Sequence, residues 1–350
     1  MPSAFWGGKR VLLTGHTGFK GAWLALLLER LGAEVTGLAL PPDQTPSLFD
    51  VAGVDRAVRS LIGDVRDLAS VEEAVRQSRA EIVFHLAAQA IVRRGYREPV
   101  ETYAANVMGT VHVLEAIRHA GTVRAAVIVT SDKCYENRER LLPYREEEPM
   151  GGHDPYSSSK GCAELVVAAY RRSFLAEAGI GVASARAGNV IGGGDWSPDR
   201  LVPDLIRGFV AARPTLIRSP DAIRPWQHVL DALAGYLLLA ERLWAAPEAY
   251  AAGWNFGPGA DEMIAVRQVA DRLAELWGDG AGWTRDNLQG VHEAHLLTLD
   301  STKARAELGW RPRLSTGEAL GSIVDWHKAA IAGADMRRHS VAQVDAFLAQ

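Results

Sequence analysis

The sequence predicts an α/β protein: a doubly wound parallel sheet with a smaller mixed α/β lobe that is mostly C-terminal. Three observations predict it. Short β-branched runs alternate with helical patterns through the first half of the 350 residues, the order that yields parallel strands joined by crossover helices. The runs are apolar at consecutive positions, as in strands buried on both faces. After residue 187 the alternation gives way to GNVIGGGDWSPDRLVPD, where Gly, Pro and Asp punctuate the chain.

Taken in order, the strands are RVLLTG (10–15), EVTGLAL (34–40), EIVFHLA (81–87), AAVIVTS (125–131) and GVASARA (181–187), with RSLI (59–62) as a further candidate. Helical patterns fill the gaps at about 19–32, 68–79, 99–120 and 156–178. Later helical stretches fall near 201–212, 226–244 and 264–277, followed by ELGWRPRLSTGEALGSIVDWHK. Residues 1–187, joined by part of 225–256, are expected to form the sheet domain, a Rossmann-type unit. Residues 188–350 are expected to form mainly the second lobe. Neither an internal repeat nor a low-complexity tract interrupts the plan.

Composition narrows the function classes. With 48% hydrophobic residues and a mass of 37.9 kDa, the chain has ample core-forming material for an enzyme. A formal charge of −4, a pI near 6.2 and dispersed Lys and Arg argue against a nucleic-acid partner. The most apolar stretch, LAGYLLLAERLWAAPEAYAAGW, is broken by Glu241 and Arg242, so it reads as a buried or amphipathic helix rather than a membrane span. No secretory h-region is evident at the N-terminus. Cys134 and Cys162 give neither a disulfide framework nor zinc-ligand spacing. A soluble protein of the reducing cytoplasm, without a metal, is the expectation.

The glycine cluster TGHTGFKG follows the first strand and opens the first helix. Gly15, Gly18 and Gly21 stand in G-x-x-G-x-x-G, which lets the backbone turn tightly and present bare N–H groups to a pyrophosphate at a helix N-terminus. An acid at the end of the second strand commonly holds the ribose of NAD. Here that place reads GLALPPDQ, with Ala39 and Leu40 before a late Asp43, so spacing leaves NAD and NADP open. Asp64, after Gly63, is placed either beside the adenine or in a strand-ending turn.

In DPYSSSKGCAEL, Tyr156 and Lys160 lie four residues apart on one helix face, with Pro155 at the helix start and Asp154 able to cap it. A tyrosine is a poor base near neutral pH, but an ammonium one turn away stabilises its phenolate. The same spacing occurs on ordinary solvated helix starts. Joined to the glycine loop in an α/β frame, it points to a hydroxyl that loses hydride to a nicotinamide.

Together, TGHTGFKG, HLAAQ (85–89), TSDKCYEN (130–137) and DPYSSSK resemble the extended short-chain dehydrogenase/reductase superfamily, which acts on nucleotide sugars. GGHDPYSSSKGCAEL, RAGNVIGGGDW (186–196), IRPWQHVL (223–230) and LTLDSTKARAELGWRP (297–312) extend the resemblance over nearly the whole chain, to the 4,6-dehydratases of that superfamily. The resemblance implies NAD as the cofactor and CDP-glucose as the substrate. It implies a cofactor site of Gly15, Thr17, Gly18, Phe19, Gly21, Asp64, Val65, Leu86, Ala87, Ala88, Tyr156 and Lys160.

The triplet Ser131, Asp132 and Lys133 bears on the reaction type. Ser131 can hydrogen-bond the reacting hydroxyl, as an epimerase or dehydrogenase would need. Two more ionisable groups next door suit a dehydratase, with Asp132 as acid and Lys133 as base. A base at that position needs burial or nearby positive charge to shed its proton, and otherwise gives electrostatic support to an enolate. Cys134 reads as a small core residue and His85 as strand packing. For the substrate, Arg224 and Asn189 correspond by resemblance to pyrophosphate contacts, with Arg200, Arg218 and His295 as further candidates. HEAHLL (292–297) departs from the arginines carried there by other sugar-nucleotide dehydratases. The apolar faces at 99–120 and 156–178 imply, by the same resemblance, a homodimer built on paired helices.

Overall fold

A computed structural model describes residues 4–259, 262–286 and 296–350. Six strands occupy the first half: β1 (Arg10–Thr14), β2 (Glu34–Ala39), β3 (Arg59–Ile62), β4 (Ile82–His85), β5 (Ala125–Val129) and β6 (Gly181–Ala187). After them come β7 (Asn189–Ile191), β8 (Thr215–Ile217), β9 (Ile223–His228), β10 (Gly253–Phe256), β11 (Met263–Ala265) and β12 (Trp283–Arg285). The main sheet has seven strands in the order β10-β6-β5-β4-β1-β2-β3, and every neighbouring pair is parallel.

Away from the edge strand β3, both faces of this sheet are buried, which explains its apolar runs. Because side chains alternate along a strand, Leu13 joins Phe84, Val127 and Ala183 on one face. Leu12 joins Val83, Ala126 and Val182 on the other. The principal helices are α1 (Phe19–Arg30), α2 (Leu68–Ser78), α3 (Gly109–His119), α4 (Pro155–Tyr170), α5 (Leu201–Val210), α6 (Val229–Ala245), α7 (Val266–Trp277), α8 (Thr316–Ile331) and α9 (Met336–Leu348). The first face is covered by α1 and α6, through Leu24, Leu27, Leu233 and Tyr236. The second is covered by α2, α3 and α4, through Val71, Leu114, Ile117 and Val167. Each such side chain contributes about 1.5–3 kcal/mol on burial.

The chain crosses between its lobes more than once. Strand β10 pairs with β6 at the edge of the main sheet, and α9 returns to pack on α1, where Arg337 meets Glu29 at 2.6 Å and Arg30 meets Asp345 at 2.7 Å. The smaller lobe carries the sheets β11-β9-β7 and β12-β8, with a core of Leu205, Phe209, Trp226, Val269, Leu273 and Leu320. One boundary differs from the sequence expectation: residues 226–228 finish strand β9 instead of opening the helix. His228 is extended and caps α6 by accepting from the Leu230 N–H at 3.3 Å.

Chain order reverses between β1 and β4, so the loops at their C-terminal ends diverge. In doubly wound sheets that divergence opens a crevice for ligands.

Candidate active site

A cleft of about 700 Å³ lies at this switch point and takes its walls from both lobes. Its floor is the turn from β1 into α1. Gly15 has φ +80°, and a Cβ there would stand 2.7 Å from the Ala87 nitrogen, so only glycine brings the turn against the strand β4 loop. A Cβ on Gly21 would stand 2.1 Å from the Gly15 carbonyl oxygen, which fixes the close approach of helix and turn. Helix α1 begins after Gly18 with no side-chain cap and no acid in its first turn. Its free N–H groups therefore open on the cleft and fit the pyrophosphate of NAD.

The remaining cofactor candidates line the same cleft: Thr17 and Phe19 in the turn, Asp64 and Val65 after β3, and Leu86, Ala87 and Ala88 after β4. The Thr17 hydroxyl donates to the Leu40 carbonyl at 2.8 Å, joining the turn to the end of β2. Asp64 accepts from the Arg66 backbone N–H at 2.9 Å and from its guanidinium at 2.6 Å. That guanidinium, more than burial, holds the Asp64 carboxyl below its usual range. Gly63–Asp64 thus forms a strand-ending turn whose acid also lines the cleft.

The candidate catalytic side chains meet at the C-terminal edge of β5. Ser131 donates to Asp132 Oδ1 at 2.9 Å and accepts the Lys133 N–H at 3.2 Å, which folds the triplet into a tight turn. Asp132 is buried, and its Oδ2 has no hydrogen-bond partner among the described residues. Burial pushes this carboxyl up, against the pull of Lys133 and of the Ser131 hydroxyl. Lys133 is half-buried on the cleft wall. Opposite stands α4, capped by Asp154, which accepts from the Ser157 N–H at 3.0 Å. On its first two turns Tyr156 and Lys160 are both buried and both line the cleft. Burial raises the Tyr156 phenol to about 12, while a hydrogen bond with Ser131 works in the opposite direction. Burial lowers Lys160 to about 8, and its Nζ donates to the Val129 carbonyl at 3.3 Å.

The substrate candidates Asn189, Arg200, Arg218 and Arg224 line the far side of the cleft. Arg200 is paired with Asp195 at 3.1 Å. His295 lies outside the described residues. His85 packs between Thr14 at 2.7 Å and Thr110 at 3.3 Å, with burial holding it neutral at about 3. Cys134 is wholly buried, and burial raises its thiol. Among the described residues no cluster of His, Cys, Asp and Glu could hold a metal ion, and no helix is long and apolar enough to cross a membrane.

Two basic residues of the cleft escape sequence reasoning. Lys20 sits half-buried in the glycine turn, 3.5 Å from the Tyr236 hydroxyl, and is lowered to about 7 by burial and then by Arg200 and Lys160. Its position inside TGHTGFKG was the available signal. Arg93 follows HLAAQ and reaches Asp199 of the other lobe at 3.2 Å. Nothing local marks that long-range pair.

A family model described as "NAD dependent epimerase/dehydratase family" matches residues 11–253. A CDP-glucose 4,6-dehydratase of Salmonella typhimurium is 52% identical over 337 residues, 95% of this chain and 94% of that protein. A dTDP-glucose 4,6-dehydratase of Streptomyces antibioticus is 29% identical over 91% of this chain and 92% of its own length. Among solved structures, the UDP-glucose 4-epimerase of Thermus thermophilus in complex with NAD matches with a TM-score of 0.80 at 26% identity, covering 92% of this chain and 99% of that one.

Proposed function

The chain belongs to the NAD dependent epimerase/dehydratase family, and from that premise we propose that it is a nucleotide-sugar 4,6-dehydratase that converts CDP-glucose to CDP-4-dehydro-6-deoxyglucose and water. Identity of 52% to a CDP-glucose 4,6-dehydratase supports the substrate. The observation that carries the reaction is Asp132, a buried carboxyl beside Ser131 with one oxygen unpartnered among the described residues. An epimerase that only removes and returns hydride at C4 has no use for such an acid. Elimination of the 6-hydroxyl needs one.

NAD⁺ held at the glycine turn would accept hydride from C4 and, once reduced, return it to C6 after water has left. Ser131 orients the sugar 4-hydroxyl and Tyr156 takes its proton, with the charge of Lys160 one turn away favouring the phenolate. The resulting 4-ketone acidifies the C5 hydrogen. Lys133 as a neutral amine removes that proton, and the cation so formed stabilises the enolate. Asp132 gives a proton to the departing 6-hydroxyl. Arg224 and Arg218 hold the diphosphate by charge-assisted hydrogen bonds, with Asn189 beside it.

In this reading residues 1–187 with part of 225–256 hold the cofactor, and 188–350 mainly hold the nucleotide sugar. A homodimer and a cytoplasmic location belong to the same reading. The first is supported by exposed apolar side chains on paired helices, the second by two free cysteines. The test is incubation with NAD⁺ and, separately, CDP-, dTDP-, UDP- and GDP-glucose and GDP-mannose, with loss of water read by mass. Turnover of CDP-glucose is expected. Water loss only from another sugar overturns the substrate, and none from any overturns the dehydratase.

A further inference from the structure

Behind the reactive residues, outside the cleft, lies a buried ion pair. Glu164 is on α4, one turn beyond Lys160 and two beyond Tyr156, and faces the same way. Its Oε1 accepts from the Thr130 hydroxyl at 2.5 Å, immediately before Ser131. Its Oε2 accepts from Ser184 at 2.6 Å and from the Arg186 guanidinium at 2.7 Å, both on β6. Arg186 in turn donates to the Tyr135 hydroxyl at 2.7 Å, just past the Ser131–Lys133 turn, and to the Glu146 carbonyl at 2.9 Å. One carboxylate thereby ties both ends of the reactive turn to the helix that carries Tyr156 and Lys160.

We propose that Glu164 is a positioning residue for the Tyr156–Lys160 pair, fixing α4 in register with the Ser131–Lys133 turn and placing a permanent negative charge behind the Lys160 ammonium. This role rests on the dehydration chemistry above. Burial works against the Glu164 charge, but Arg186, Ser184 and Thr130 outweigh it and hold the carboxyl below its ordinary range. At Lys160 burial lowers the ammonium, and Glu164 is the largest opposing influence. The other groups facing Lys160 are Tyr156 on its own helix, Cys134 on the turn, His85 on β4 and Lys20 on α1. His85 is neutral and Cys134 a thiol near neutral pH, so neither can replace the carboxylate. A buried pair can also be merely structural, because removing one partner strands the other's charge. The two roles give different pH profiles.

The experiment compares wild type with Glu164→Gln and with the double variant Glu164→Gln/Arg186→Gln, which strands no charge. Two readouts are taken: the pH profile of kcat on CDP-glucose, and the pH midpoint of Lys160 labelling by a small amine-reactive reagent, read by peptide mass spectrometry. Without the carboxylate, Lys160 loses its proton about tenfold more readily, so the alkaline limb and the labelling midpoint fall by about one pH unit in the single variant and by less in the double. KM and NAD affinity stay within about twofold, since Glu164 does not line the cleft. A lower kcat at every pH with both midpoints unmoved overturns the role, as does a double variant that fails to fold. If the wild type turns over no nucleotide sugar, the dehydratase reading falls, while the labelling midpoint still decides the role of Glu164.

Discussion

A phenol raised to about 12 by burial does not release its proton unaided near neutral pH, so in the proposed mechanism Tyr156 would depend on Lys160 and Ser131 around it. Asp132 presents the complementary case, a carboxyl raised by burial and therefore suited to giving a proton. Asp132→Asn should separate the two halves of the reaction. In the proposed mechanism oxidation at C4 needs only Ser131, Tyr156 and Lys160, so absorbance of reduced cofactor at 340 nm should build up with CDP-glucose, while water loss slows by about 10²–10⁴-fold. Full water loss from Asp132→Asn would assign the acid elsewhere. At this scale the sequence was informative where chemistry is local: the turn 131–133 and the helix 155–160 each fold on their own neighbours. Arg93 and Glu164 were not legible, because each works through a partner far along the chain, Asp199 and Arg186.

Among the elements, the turn from β1 into α1 bears most directly on function. A methyl group on Gly21 would meet only backbone, the Gly15 carbonyl oxygen at 2.1 Å and His16 Cα at 2.9 Å. No side-chain rotation relieves that clash. Gly21→Ala should therefore push the turn off the helix, costing about 1–3 kcal/mol of stability and weakening NAD binding, read by thermal melting and by cofactor titration. Unchanged melting and affinity would mean that the turn yields freely and does not set the site. Five strands of the main sheet were legible from their apolar runs and β3 as the candidate RSLI, but the edge strand β10, GWNF, was not. The small-lobe strands are three to six residues long, and one of them, β9, carries Pro225. Helical periodicity there ran on into residues 226–228, and only the extended backbone at His228 shows where the helix begins.

For the whole molecule, the unresolved matter in the sequence was which apolar helix face is core and which is interface, since both read alike. Burial separates them. Val113, Leu114 and Ile117 of α3 are fully buried, whereas Val100 is 78% exposed, Met108 47% and, on α4, Leu165 61%. A wider turn at Ala104–Met108 takes in one extra residue, which keeps Met108 on the face of Val100 and Tyr103. That segment packs against α4, so the exposed side chains belong to one helix pair. Scattered exposed apolar residues need no explanation, but a group on paired helices is what the proposed homodimer would cover. In the proposed homodimer a second copy presenting the same face would cover it with twofold symmetry. Sedimentation should therefore find the wild type at twice the 37.9 kDa chain mass, and Val100→Glu/Met108→Glu, at two positions that do not line the cleft, should sediment as the single chain with its melting curve retained. A wild type that sediments at 37.9 kDa across the micromolar range would rule out the dimer and leave the exposed face without a partner of its own kind.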